Sequence, residues 1–241
     1  MNHVLRRIRR QLMESQNTRK YLLYALGEIV LVVMGILIAL QINNWNEWRR
    51  DRVKELSILT DLEENIQRNR EQLSHSSGRL AKYSQSKDFI IKEFVARSPY
   101  NDSMRVHFHD ALRVGGYQIN FSYDGYESYK NAGYEIILNK GLKDHIIALF
   151  ENAYKQMETS MEYARNFDIQ DNHKEDHYFY YDSSGHLEPM NYETLVKNKR
   201  YISDLNRIQR ARSYLSSNIS ACLKQTDKVH DMVLAEIDNR R

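Results

Sequence analysis

Three features of the sequence predict an all-α protein in which an N-terminal transmembrane helix is followed by an elongated antiparallel helical bundle. Residues 21–42, YLLYALGEIVLVVMGILIALQI, form a 22-residue stretch with Glu28 as its one charge. The 241 residues include only 2 Pro and 9 Gly, too few turn formers for a many-stranded sandwich or barrel. From Leu59 onward apolar residues return at every seventh position, the beat of a helix-packing seam.

The chain divides by composition into four parts: 1–20, 21–42, 43–97 and 98–241. Within the first, Val4, Leu5, Ile8 and Leu12 recur at helical spacing while Arg6, Arg7, Arg9 and Arg10 fill the other face. That pattern suits a short basic amphipathic helix lying on an anionic inner leaflet. At ~1.5 Å per residue the second part is long enough to cross a ~30 Å hydrocarbon layer. Tyr21 and Tyr24 at its start and Trp45 and Trp48 just past its end are the rings expected at the two headgroup levels. Cleavage as a signal peptide is disfavoured, because Leu37 stands two before Ala39, where a small residue is wanted, so the stretch reads as a signal-anchor. Six basic residues precede the span (Arg6, Arg7, Arg9, Arg10, Arg19, Lys20) and four follow it (Arg49, Arg50, Arg52, Lys54), which places the N-terminus in the cytoplasm. Gly35 and Ala39, with Gly27 two turns earlier, form a small-residue face on which two membrane helices can approach closely, the basis for expecting a homo-oligomer. Glu28 lies ~10 Å along the helix from Tyr21, within snorkelling reach of the headgroups.

Residues 43–97 read as a stalk continuing into the first bundle helix. Its seven-residue series is Leu59, Ile66, Leu73, Leu80, Lys87, Phe94, with Leu62, Tyr83 and Ile90 three residues after members of it, a coiled-coil-like pattern weakened only by SHSSG at 74–78. No proline interrupts the chain between the span and Pro99, so this helix is expected to end near Arg97. A short helix follows over Asp102–Val114, closed by Gly115 and Gly116. Residues 117–139 look like loop with a brief helix around Gly125–Asn131. A second long helix is expected over Lys140–Asn166, then a polar, aromatic insert over Asp168–Tyr192. The last helix, Ser203–Asn239, carries two interleaved series: Leu205, Arg212, Ile219, Thr226, Val233 and Ile208, Leu215, Cys222, Val229.

Chemistry-bearing motifs are scarce. A net charge of +3 from 35 basic and 32 acidic residues is nearly balanced, and gives nucleic-acid binding no support beyond the N-terminal cluster. His173 and His177 are spaced i, i+4, but HKEDH lacks the glutamate directly after the first histidine that a metalloprotease helix needs. His107 and His109 would share a face only on a strand. No G-x-S-x-G elbow and no phosphate loop occurs. Lone Cys222 falls in an apolar heptad series and reads as a core residue. No catalytic residue, metal site or cofactor is therefore expected. The run Tyr178, Phe179, Tyr180, Tyr181 is the best candidate recognition surface, because such rings offer apolar area with little entropy to lose; packing of the insert against the bundle is its structural alternative.

The string GEIVLVVMGILIALQINNWNE at 27–47 resembles the anchor of a Bacteroidetes family of single-span envelope proteins, a domain of unknown function. The stretch YESYKNAGYEIILNKGLKDHIIALFENAY at 126–154 is similar to that family's midsection, where a serine-glycine pair and an isoleucine-asparagine pair usually precede the helix. Here Asn131, Ala132 and Gly133 stand at the first and Leu138 and Asn139 at the second. The resemblance implies a bacterial envelope protein with an N-terminal anchor and supplies no activity or ligand. Taken with the topology, it leads to an expectation of a non-enzymatic, single-pass inner-membrane protein whose periplasmic bundle binds an envelope protein or component. Its partners would be the lipid bilayer, an envelope protein and a second copy of itself, with no nucleic acid. The insert 168–192 and the tyrosine-rich 117–134 region would supply contacts. The alternative is a helical small-molecule sensor module acting through a partner protein.

Overall fold

The computed structural model describes residues 18–115, 119–170 and 177–240. Arg6, Arg7, Arg9, Arg10, Tyr117 and His173 lie outside them, as do the side chains of Tyr21 and Tyr24. The elements in order are α1 (Thr18–Ala96), α2 (Asp102–Ala111), α3 (Asp124–Ala132), a 3-10 turn (Tyr134–Ile136), α4 (Lys140–Ala148), a π-helical turn (Leu149–Ala153), α5 (Tyr154–Gln170), β1 (Phe179–Tyr181), β2 (Leu187–Pro189), α6 (Tyr192–Val196) and α7 (Lys199–Arg240). The fold is all-α with one small hairpin.

Asparagine side chains cap four of the helices, each accepting from a backbone N–H that has no partner within its own helix. Asn101 accepts from Ser103 N at 3.1 Å, Asn139 from Leu142 N at 3.1 Å, Asn191 from Thr194 N at 2.9 Å and Asn198 from Arg200 N at 3.0 Å. Helix α1 ends when Arg97 turns left-handed (φ 54°), so that Ser98 N reaches Glu93 O at 3.1 Å and Pro99 blocks continuation. That conformation costs a non-glycine residue about 1 kcal/mol.

Two units meet in sequence at Lys54 and Glu55. In the first, α1 exposes every side chain from Leu26 to Asp51, and this stretch is long and apolar enough to cross a membrane. Trp45 and Trp48 are exposed, and no atom stands within 4 Å of where a Cβ on Gly27 or Gly35 would lie.

In the second unit, cross-helix pairs fix direction. Along α1 and α7 they run Glu55–Arg240 at 3.6 Å, Glu63–His230 at 3.0 Å, Arg70–Asp227 at 2.5 Å and Ser84–Gln209 at 3.3 Å, so the two helices are antiparallel. Asn139–Glu236 at 2.8 Å, His145–Lys228 at 2.8 Å and Ser160–Asn218 at 3.1 Å set α4 and α5 antiparallel to α7 as well. The seam of α1 is buried at Leu59, Leu62, Ile66, Leu73, Leu80, Ile90 and Phe94. SHSSG does not break α1: Ser76 is small enough to be buried between Leu73 and Leu80, and their packing carries the helix through. All nine members of the two α7 series are buried, Arg212 and Thr226 included.

Two polar devices hold the shorter pieces. Asn65 and Asn69, one turn apart on α1, both donate to Ser122 O at 2.9 Å, while Asn69 accepts from Ser122 N at 2.8 Å and Asn65 from Tyr126 N at 3.3 Å. This clamp draws α3 so close that Gly125 lies against the α1 backbone. Arg212, 1% exposed, donates to Ala111 O at 3.1 Å, Arg113 O at 2.6 Å and Gln209 Oε1 at 2.9 Å. It thereby satisfies carbonyls freed where α2 ends.

Candidate functional site

The aromatic insert folds as the hairpin, with Phe179 opposite Pro189, Tyr180 opposite Glu188 and Tyr181 opposite Leu187. Asp182 builds its turn. One carboxylate oxygen accepts from Ser184 N at 2.9 Å and His186 N at 2.8 Å, and Gly185 supplies the positive φ of 78°. These N–H groups, His186's foremost, hold the Asp182 carboxyl below its ordinary range. A carboxyl depressed in the folded state stabilises it above the unfolded value and ceases to do so as pH falls through the folded one. The hairpin turn is therefore expected to loosen in acid, read as a fall in the amide protection factors of Ser184 and His186, relative to an unfolded peptide at the same pH, below pH ~4. Unchanged protection there in acid would remove Asp182 from this role.

The four predicted recognition residues divide between core and surface. Tyr178 and Phe179 are buried: Phe179 lies 5.0 Å from the Phe108 ring and 5.7 Å from that of Tyr201, and Tyr178 lies 5.1 Å from Tyr201. Tyr178 also donates to Asp204 Oδ2 at 3.1 Å, and burial, then Asp204, pushes its hydroxyl above the ordinary range. Tyr180 and Tyr181 face outward, 52% and 55% exposed. Val106 on α2 and Met190 just after β2 are exposed as well.

A buried carboxylate ties down the second strand. Glu188 accepts from the Tyr100 hydroxyl and pairs with Arg105, which also reaches Asp102 at 3.4 Å. Burial, then Glu188, pushes the Tyr100 hydroxyl up to about 12. Strand β2 is thus tied to α2 and to the turn after α1. Nothing in the sequence spacing of Glu188 and Arg105 marks either as a partner of the other. Tyr201, also buried here, has a hydroxyl with no hydrogen-bond partner among the described residues. Leaving a buried hydroxyl unpaired costs about 1–3 kcal/mol, so Tyr201→Phe is expected to stabilise the domain by about 1 kcal/mol, seen as a raised thermal midpoint. A lowered midpoint would mean that the hydroxyl is bonded.

The other polar candidates are dispersed. His107 sits 3.0 Å from Ser86 Oγ with its ring 4.2 Å from Phe89, while His109 contacts Arg113; on a helix the two diverge. His177 is exposed, its ring 6.3 Å from Tyr178. Among the described residues no three His, Cys, Asp or Glu side chains converge as a metal site. Cys222 is buried, and desolvation pushes its thiol up to about 12, where it is no nucleophile. The tyrosines of the 119–134 region point largely inward: Tyr126 stacks on Phe150 at 4.5 Å, and Tyr129 donates to Tyr134 O at 3.1 Å.

No curated protein and no solved structure matches the chain. Residues 28–95, which run from inside the apolar stretch to the last turn of α1, match the model of a family of unknown function, DUF6090.

Proposed function

We propose that this chain is a single-pass bacterial inner-membrane protein, N-terminus in the cytoplasm, whose helical domain stands in the periplasm as a non-enzymatic interaction module for an envelope protein or component. The observation that carries the reading is the hairpin: Tyr180 and Tyr181 are exposed on a strand whose partner strand is tied down through the buried Glu188. Rigid, exposed aromatic residues are what a recognition surface needs, since little entropy remains to be lost on binding. The excess of basic residues before the span supports the orientation, and the resemblance of 27–47 to Bacteroidetes envelope proteins supports the compartment. The uncovered Gly27, Gly35 and Ala39 face leaves room for a second copy in the bilayer.

The test is in-cell photocrosslinking of the full-length protein, with the reactive residue at Tyr180 and a control at exposed Glu64. One envelope component captured from Tyr180 and absent at Glu64 supports the reading. The same products from both sites, or none, would overturn it.

A second reading, a small-molecule sensor acting through a partner protein, is favoured by one feature. An open cleft of about 370 Å³ between α5 and α7 has Tyr163, Phe167 and Tyr214 against Arg207 and Arg210, an aromatic and cationic lining suited to a small anionic ring compound.

A further inference from the structure

Beside the last turn of α1 a groove of about 750 Å³ opens between that turn and α6. Its floor is aromatic. Phe94 lies 6.0 Å from Tyr192, and Tyr192 lies 5.3 Å from Tyr100, ring centre to ring centre. Both tyrosine hydroxyls are committed inward, Tyr100 to Glu188 and Tyr192 to Ser98 O at 2.9 Å, so the floor offers ring carbon to a ligand and few hydrogen bonds. Two cations stand on the rim: Arg97 and Lys197 are exposed, and neither is ion-paired among the described residues, with Glu193 as the acid lining the groove and Glu93 behind it, near the Tyr192 hydroxyl.

The backbone adds an independent observation. Arg97 is the one non-glycine residue with positive φ among the described residues, at a helix C-terminus where glycine is the favoured occupant. A side chain held where it weakens the fold, and lining a groove, is a mark of function. We propose that this groove binds an acidic, apolar peptide segment, with an aliphatic or aromatic side chain on the Phe94, Tyr100 and Tyr192 rings and carboxylates on Arg97 and Lys197. The site is separate from the exposed hairpin tyrosines and goes beyond the reading built on them.

The experiment is selection of random displayed peptides on the full-length protein in lipid nanodiscs, with empty nanodiscs as the counter-selection. The expected winners combine carboxylates with apolar side chains and bind less tightly as salt rises. Arg97→Gly is expected to weaken the winning peptide about tenfold, the loss of one charge-assisted contact, while raising the urea midpoint of the protein. Lys197→Glu, at an exposed position that leaves the fold alone, is expected to weaken it further. No enrichment over empty nanodiscs, winners without carboxylates, or affinity unchanged in both variants would each overturn the proposal. Crosslinking from Tyr180 is read separately in the same variants, so loss of peptide binding with that crosslink intact assigns the peptide to the groove, and failure of the peptide selection with the crosslink intact overturns the groove proposal alone.

Discussion

Arg212→Ala is expected to lower the unfolding free energy by about 2–4 kcal/mol, from buried carbonyls left without a donor and from the cavity opened. The guanidinium is fully enclosed and its planar fork serves three acceptors at once: two backbone carbonyls at the end of α2 and the side chain of Gln209. Alanine leaves those carbonyls without their donor and opens a cavity where a large buried side chain stood. Arg212→Lys is expected to recover little, because one ammonium cannot reproduce the fork. Arg212→Met keeps much of the volume and removes the charge, so it separates the cavity from the lost bonds. Urea denaturation followed by circular dichroism measures all three. A loss under about 1 kcal/mol for alanine would mean that solvent reaches this site and replaces the arginine.

Gly125→Ala is expected to cost about 2–3 kcal/mol, as overpacking against atoms that cannot yield. A Cβ there would stand 2.4 Å from the Asp61 carbonyl oxygen and 2.8 Å from its carbon, both part of the α1 backbone, and 3.0 Å from Asn65 Cβ. Relief requires α3 to withdraw from α1, which breaks the Asn65 and Asn69 bonds to Ser122 and Tyr126. The Asn65→Ala and Gly125→Ala changes should therefore be less than additive, since the second already undoes what the first removes. Full additivity would show that the close approach and the clamp are separate devices.

Both positions bear on what sequence reasoning can read. Arg212 and Thr226 fall in the heptad series of α7 beside Leu205 and Ile219, and periodicity alone placed them in the core against their polarity. The long helices, their order and their antiparallel packing were legible for the same reason: a repeat sustained over many turns outweighs single residues. Gly125 and the asparagine pair were not, because a clamp between residues far apart in the chain leaves no periodic trace. The hairpin was missed as a pair of strands. Its strands are three residues each, and β1 is buried at Phe179 and exposed at both Tyr180 and Tyr181, so no alternation exists to be found. The recognition run was picked for its aromatic character, and only packing could divide it into Tyr178 and Phe179 inside and Tyr180 and Tyr181 outside. The groove at Arg97 depends on a backbone angle, which sequence shows only when glycine announces it.

The π-helical turn at Leu149–Ala153 gives the second long helix a place where its length can change. It holds an extra residue in a single turn, and Leu149, Phe150, Ala153 and Tyr154 around it are all buried. Because the wide turn absorbs that residue, removing one here would restore the ordinary ladder and leave the helix after it close to its present face. Met157, Met161 and Ala164 would stay buried, and Ser160 would keep its place beside Asn218. A deletion in the ordinary helix that follows has no such reserve and would turn everything after it by about 100°.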